Sequence, residues 1–158
     1  SPMVRNEDLR NWNEQRDGAP PHVGDVMPFN LMIAQSEGAK WLGVLRMDVD
    51  DLGALLGRAN TSLSTATALS ATLARFFEGR VGRICDEVNQ ASKGQVYTIY
   101  SGGDDLFIVG SWHLLPELAR RISDELKVYA GGHPDVHVWG GITLPPPKYP
   151  LYQAAREA

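Results

Sequence analysis

The chain has one cysteine in 158 residues. A single thiol excludes an internal disulfide framework and any cysteine-based zinc site. Cys85, next to Ile84 in an apolar stripe, is therefore expected to pack in a core. No apolar run is long enough to span a bilayer, and the opening Ser1-Pro2-Met3-Val4-Arg5 lacks the hydrophobic centre of a signal peptide. The expectation is a cytoplasmic protein in a reducing setting, with no membrane partner. Basic charge is also scarce. Fifteen Lys and Arg against nineteen Asp and Glu give a formal net charge of -4, which argues against a free-standing nucleic-acid binder. Arg80 with Arg83, and Arg120 with Arg121, read as solvated helix faces. His22, His113, His133 and His137 show no ligand spacing and read as surface or capping residues.

Residues 1–40 read as a linker or lead-in, polar at first and broken by Gly18-Ala19-Pro20-Pro21, with a short helix over Phe29–Ser36 ending near Gly38. Residues 41–158 read as the folded domain. Leu42, Val44, Leu45, Met47 and Val49 form a nearly continuous apolar run, the pattern of a buried strand. From Ser62 to Gln90 the apolar positions recur every three or four residues (Leu69, Leu73, Phe76, Phe77, Val81, Ile84, Cys85, Val88), which predicts one long amphipathic helix. Val96–Tyr100 and Leu106–Val109 are β-rich runs flanking Gly102-Gly103, a hairpin signal. A second amphipathic helix is expected over Leu114–Tyr129, stopped by Gly131-Gly132. A last strand runs through Val136, Val138, Ile142 and Leu144, and a helix begins near Leu151.

The order β-α-β-β-α-β predicts an α+β, ferredoxin-like fold: a four-stranded antiparallel sheet with helices on one face. In this reading the first strand neighbours the strand before the hairpin turn, so the Asp48 end of one and the Gly102–Asp105 turn of the other converge.

Carboxylates crowded on a tight turn, Asp104 and Asp105, with Asp48 and Asp50 close by, repel one another unless a cation neutralises them. An all-oxygen donor set without His or Cys selects magnesium or manganese over zinc. Two such ions can bridge an attacking hydroxyl and a nucleotide α-phosphate. The glycine pair leaves the turn backbone open to close approach by a nucleotide.

The run from Tyr100 to Trp112, with Ser101-Gly102-Gly103-Asp104-Asp105 at its tip, resembles the GGDD hairpin in the palm domain of the large signature subunit of type III CRISPR effector complexes. Gly43–Gly53 resembles that family's first palm strand with its leading aspartate. Gly140-Gly141-Ile142 followed by Pro147–Tyr152 makes a third block, and the lead-in Phe29–Gly38 a fourth. Four ordered blocks are far more specific than a lone GGDD.

The resemblance implies a metal-dependent nucleotidyltransferase that polymerises ATP into cyclic oligoadenylate messengers for antiviral defence. It implies Asp48, Asp104 and Asp105 as catalytic metal ligands, the Val49 carbonyl as a backbone ligand, and Ser101, Gly102 and Gly103 along the nucleotide. Asp50 and Asp51 are weaker candidates, the alternative for one of them being a cap on the short turn through Leu52-Gly53. Expected partners are ATP, a companion palm or a second copy, other effector subunits and, through them, guide and target RNA.

Members of the family usually carry two palms, zinc cysteines between them and often a His-Asp nuclease domain. One palm without these implies a piece of a longer subunit, with the final helix and its triphosphate-binding lysine cut away. A diguanylate cyclase shares the palm and a Gly-Gly acidic hairpin, but its motif usually continues Glu-Phe where Asp105-Leu106 stands here. A scaffold palm without turnover is the non-enzymatic alternative, and a solvated acidic edge the plainest one. Trp41, Trp112 and Trp139 read as core or edge packing rather than base platforms.

Overall fold

The structure is a computed structural model that describes residues 2–5, 7–11, 20–49, 62–93, 95–102, 105–132 and 136–146. After a short turn at Asp8–Asn11 come α1 (Phe29–Gln35), β1 (Leu42–Val49), α2 (Leu63–Arg75), a π-helical turn (Phe76–Arg80), α3 (Val81–Ala91), β2 (Val96–Gly102), β3 (Asp105–Ser111), a 3-10 turn (Trp112–Leu114), α4 (Leu115–Tyr129) and β4 (Val138–Thr143). The four strands form one sheet in the order β2-β3-β1-β4, with every neighbouring pair antiparallel. This is the expected ferredoxin-like α+β sheet.

One neighbour relation differs from the expectation. β1 lies between β3 and β4 and does not touch β2. The helical crossover leaves β1 and β2 parallel, and inserting β3 between them makes each adjacent pair antiparallel. The two acidic segments still converge, because the hairpin's second arm is the one that docks on β1.

Alternation along β1 sends Leu45, Met47 and Val49 to one face, where they pack with Leu106 and Ile108 of β3 beneath α2–α4. The long helix is continuous, but it widens into a π turn where Phe76 and Phe77 fall side by side. The extra residue lets both rings enter the core, fully buried and edge-to-face at 5.5 Å. Cys85 is buried as expected, and burial pushes its thiol pKa up. At the end of α4, Gly131 and Gly132 adopt positive φ and their N–H groups bond the carbonyls of Val128 and Lys127. Gly110 in β3 is there for closeness instead, since a Cβ would stand 2.5 Å from the Gln95 carbonyl.

The opposite face carries Leu42 and Val44 of β1 with Val109 of β3, under α1 and the initial segment through Val4, Met27, Leu31 and Met32. The buried Ser111 hydroxyl donates to the Met32 carbonyl at 2.9 Å, and Trp112 Nε1 donates to the carbonyls of Glu37 and Ala39. Within residues 1–40, then, the described part is anchored to the sheet by packing and hydrogen bonds. Trp112 has the packing role expected of it. No helix among the described residues is long and apolar enough to cross a membrane.

Candidate functional site

The register places one residue from each strand in a single row: Gly102 of β2 opposite Asp105 of β3, Asp105 opposite Asp48 of β1, and Asp48 opposite Trp139 of β4. Directly paired residues in an antiparallel sheet present their side chains to the same face, with Cβ atoms roughly 4.5–5.5 Å apart. Asp48 and Asp105 are thus a carboxylate pair on one surface, that of Leu42 and Val44. α1 and the initial segment pack on this face around Leu42, Val44 and Val109, while towards the hairpin Asp48 is exposed and Asp105 partly so.

The second row is Phe107, Arg46 and Gly141. Arg46 reaches diagonally to Asp105, with Nε 3.5 Å from Oδ1. Both side chains are well hydrated, 45% and 37% exposed, so the pair is weak and its guanidinium exchangeable. On the other side of Asp48 a cavity of about 300 Å³ is lined by Arg46, Met47, Asp48, Trp139, Gly140 and Gly141. Two cavities of about 450 Å³ lie elsewhere, one at Phe76 and Tyr129 on the helix layer and one at Asp8 and Lys93 beside α1. Neither touches the carboxylate row, so the smaller one is the relevant space.

Of the residues expected to act, Asp48 and Asp105 meet. Val49 is buried against the helix layer, so only its backbone carbonyl is available as a donor. Ser101 and Gly102 end β2 at the turn. Gly103, Asp104, Asp50 and Asp51 lie outside the described residues. Among the described residues no group of three His, Cys, Asp or Glu is gathered as a metal site. Two opposed, hydrated carboxylates with only oxygen donors nevertheless suit a hard divalent cation, which takes one or two carboxylates and keeps several waters.

Sequence reading overlooked Arg46, and of the core or edge packing expected for Trp139 the structure leaves the edge. Trp139 is 66% exposed, which rules out the core-packing role. The signal was available in parity: Arg46 and Asp48 are two apart in a strand and must share a face, as must Trp139 and Gly141.

Residues 41–158 match the family described as Cas10/Cmr2, second palm domain. The chain belongs to this family. It is 34% identical over 131 residues to the CRISPR system single-strand-specific deoxyribonuclease Cas10/Csm1 (subtype III-A) of Methanocaldococcus jannaschii, covering 77% of this chain and 16% of that protein. The Mycobacterium tuberculosis protein of the same name is 32% identical over 155 residues, covering 85% and 19%. The chain thus spans under a fifth of the curated relatives it matches. Among solved structures, a Csm1–Csm4 cassette in complex with cA3 superposes with a TM-score of 0.73 at 28% identity, covering 84% of this chain and 20% of that one. A cassette in complex with one ATP gives 0.73 at 29%, over the same shares.

Proposed function

We propose that this Cas10-type palm binds ATP with a divalent metal at the Asp48–Asp105 row and, within its complete subunit, joins ATP units into cyclic oligoadenylates. The observation that carries the reading is the register pairing of Asp48 with Asp105, which in turn lies opposite Gly102 at the end of β2. A bound Mg2+ or Mn2+ pair would supply charge neutralisation for the attacking hydroxyl and the departing pyrophosphate. Asp48, Asp105 and, in this proposal, Asp104 hold that charge in place, with the Val49 carbonyl as a further donor. Ser101, Gly102 and Gly103 lie along the nucleotide, where absent side chains let the phosphates approach backbone N–H groups. Arg46 balances Asp105 when the site holds no cation, and it turns towards phosphate oxygens when substrate enters.

Structures of relatives with ATP and with cA3 support adenine as the base and a cyclic adenylate as the product class. They also favour this reading over the guanine-specific cyclase and over an inert scaffold. By the same likeness, the partners proposed are a Csm4-type subunit, a companion palm, and guide and target RNA through the assembled complex. The relatives' deoxyribonuclease name describes proteins at least five times the aligned length and is not assigned to this palm.

The test is incubation with ATP and Mn2+, then GTP and Mn2+, followed by chromatography of the products. Adenylate oligomers from ATP that vanish in Asp48→Asn support the reading. Products from GTP in preference to ATP would transfer the assignment to the cyclase class.

A further inference from the structure

We propose that Trp139 and the bare backbone at Gly141 form a nucleobase-stacking subsite beside Asp48, so that β4 selects for the base while the hairpin side handles the phosphates. The inference rests on the nucleotide-binding reading above and extends it to a specificity-determining residue.

Trp139 is the register partner of Asp48 and occupies the same face. Its side chain is 66% exposed, more than any other large apolar residue described except Val128. Tryptophan normally contributes by burying a large area. An indole held out of the core, one strand from a carboxylate pair, offers a flat π surface where ligand chemistry is gathered.

The neighbouring position on that face of β4 is Gly141, opposite Arg46. Gly141 places no side chain between Trp139 and Thr143, and together with Gly140 it gives the 300 Å³ notch, which Met47 also lines, a floor of bare backbone. Gly140 faces the helix layer and has a packing reason of its own, because a Cβ there would lie 3.0 Å from Met47 Cγ and 3.3 Å from the Arg46 carbonyl. Gly140 thus answers to packing against Met47 as well as to the notch.

The size and polarity of the notch suit part of a nucleotide. Its volume is at the lower end of the roughly 300–1,000 Å³ of ligand pockets, enough for a base and its sugar. Trp139 and Asp105 are two strands apart, on the order of 10 Å. A nucleoside triphosphate spans that separation with its base on the indole and its phosphates at the carboxylate row. Arg46, 45% exposed, stands between the two ends, where cationic charge meets phosphate. A protein surface would also cover an exposed tryptophan on an edge strand. The notch floor, the cation and the carboxylates together favour the nucleotide.

The experiment compares wild type, Trp139→Ala, Trp139→Phe, Gly141→Val and Asp105→Asn for MgATP binding by calorimetry, with urea melts to verify folding. Adenosine without metal is titrated in parallel, following tryptophan fluorescence. Trp139→Ala should bind MgATP about tenfold more weakly, the fold-change that about 1.4 kcal/mol of stacking represents. Trp139→Phe should retain most of the affinity, and Gly141→Val, which fills the notch, should behave like the alanine variant. Adenosine should quench the wild type, with that quenching lost in Trp139→Phe. Wild-type MgATP affinity in folded Trp139→Ala, or quenching that survives in Trp139→Phe, overturns the inference and assigns the indole to a protein interface. If Asp105→Asn abolishes metal-dependent ATP binding while Trp139→Ala does not weaken it, the proposed function stands and only the stacking subsite fails. If the wild type itself shows no metal-dependent ATP binding, the proposed function fails, and the metal-free adenosine titration still decides the subsite.

Discussion

Replacing Asp105 by Asn separates a carboxylate kept for a cation from one kept for the fold. Two interactions change when its charge is removed. Repulsion from Asp48 is relieved: two unit charges about 5 Å apart in water repel by about 0.8 kcal/mol, an upper figure because hydrated side chains splay and salt screens them. The ion pair with Arg46 at 3.5 Å is also lost, and a pair this exposed is worth about 0–1 kcal/mol. The terms oppose each other, so metal-free stability should move by less than about 0.5 kcal/mol. A cation that binds only the folded state adds about 2.7 kcal/mol at a hundredfold excess over Kd, or roughly 5–10 °C in Tm at this chain length. Thermal melts followed by circular dichroism, in EDTA and across a Mn2+ titration, should give nearly superimposable EDTA curves and a metal-dependent rise in the wild type alone. An undiminished rise in Asp105→Asn refutes the shared carboxylate site. A loss above about 2 kcal/mol in EDTA would make Asp105 a structural residue instead.

Arg46→Ala removes the cation competing for Asp105, so Mn2+ alone should bind up to about fivefold more tightly while ATP binds more weakly; reduced Mn2+ affinity by calorimetry would contradict the exchange role. Glu125 joins α4 to the π turn through Arg80 at 2.5 Å and is also held by Arg121, which bonds Glu87 of α3. Burial pushes the Glu125 pKa up, but the hydrogen bonds from Arg80 and Arg121 prevail and leave it below the ordinary 4.5. A lowered folded-state pKa means that its contribution is full above that ordinary value and is lost as pH falls through the lower one. Glu125→Gln should thus cost about 1 kcal/mol at pH 7 and progressively less below pH 4.5 in urea melts, and an equal cost at both ends would rule the linkage out. Oligoadenylate synthesis by this chain alone should rise more steeply than linearly with protein concentration, because orienting a second nucleotide can account for roughly 7–11 kcal/mol of a barrier and needs a facing palm. A turnover rate strictly proportional to protein at high dilution would show that one palm suffices.

Period and composition made the elements legible. The apolar run at Leu42–Val49, the three-and-four spacing through Leu73, Phe77 and Ile84, and the glycine pair between two β-rich runs each have one economical conformation. Two things escaped. Adjacent Phe76 and Phe77 fit an amphipathic stripe well enough that nothing in the spacing announces a π turn, which appears only when both rings must enter one core. The neighbour of β1 was misjudged because strand order depends on which arm of the hairpin docks, a long-range choice that local pattern does not encode.

The same limit explains why the site was half visible. The acidic residues stood out in sequence because carboxylates on a tight turn have few structural uses, and their types alone suggested a hard cation. Gly141 stood out only as part of the Gly140-Gly141-Ile142 block, and Trp139 was read as packing, because a tryptophan beside a glycine pair is ordinary at a strand end. Their meaning comes from register, since β4 must lie against β1 with Trp139 opposite Asp48 before the indole becomes part of the row. A one-residue slip would turn every side chain of β4 to the other face, sending Trp139 towards the helix layer. That slip is resisted from within the sheet, because β4 pairs with β1 over six residues, from Val138 to Thr143. The position that carries the proposed specificity is therefore set by the register of β4 on β1, not by anything local to Trp139.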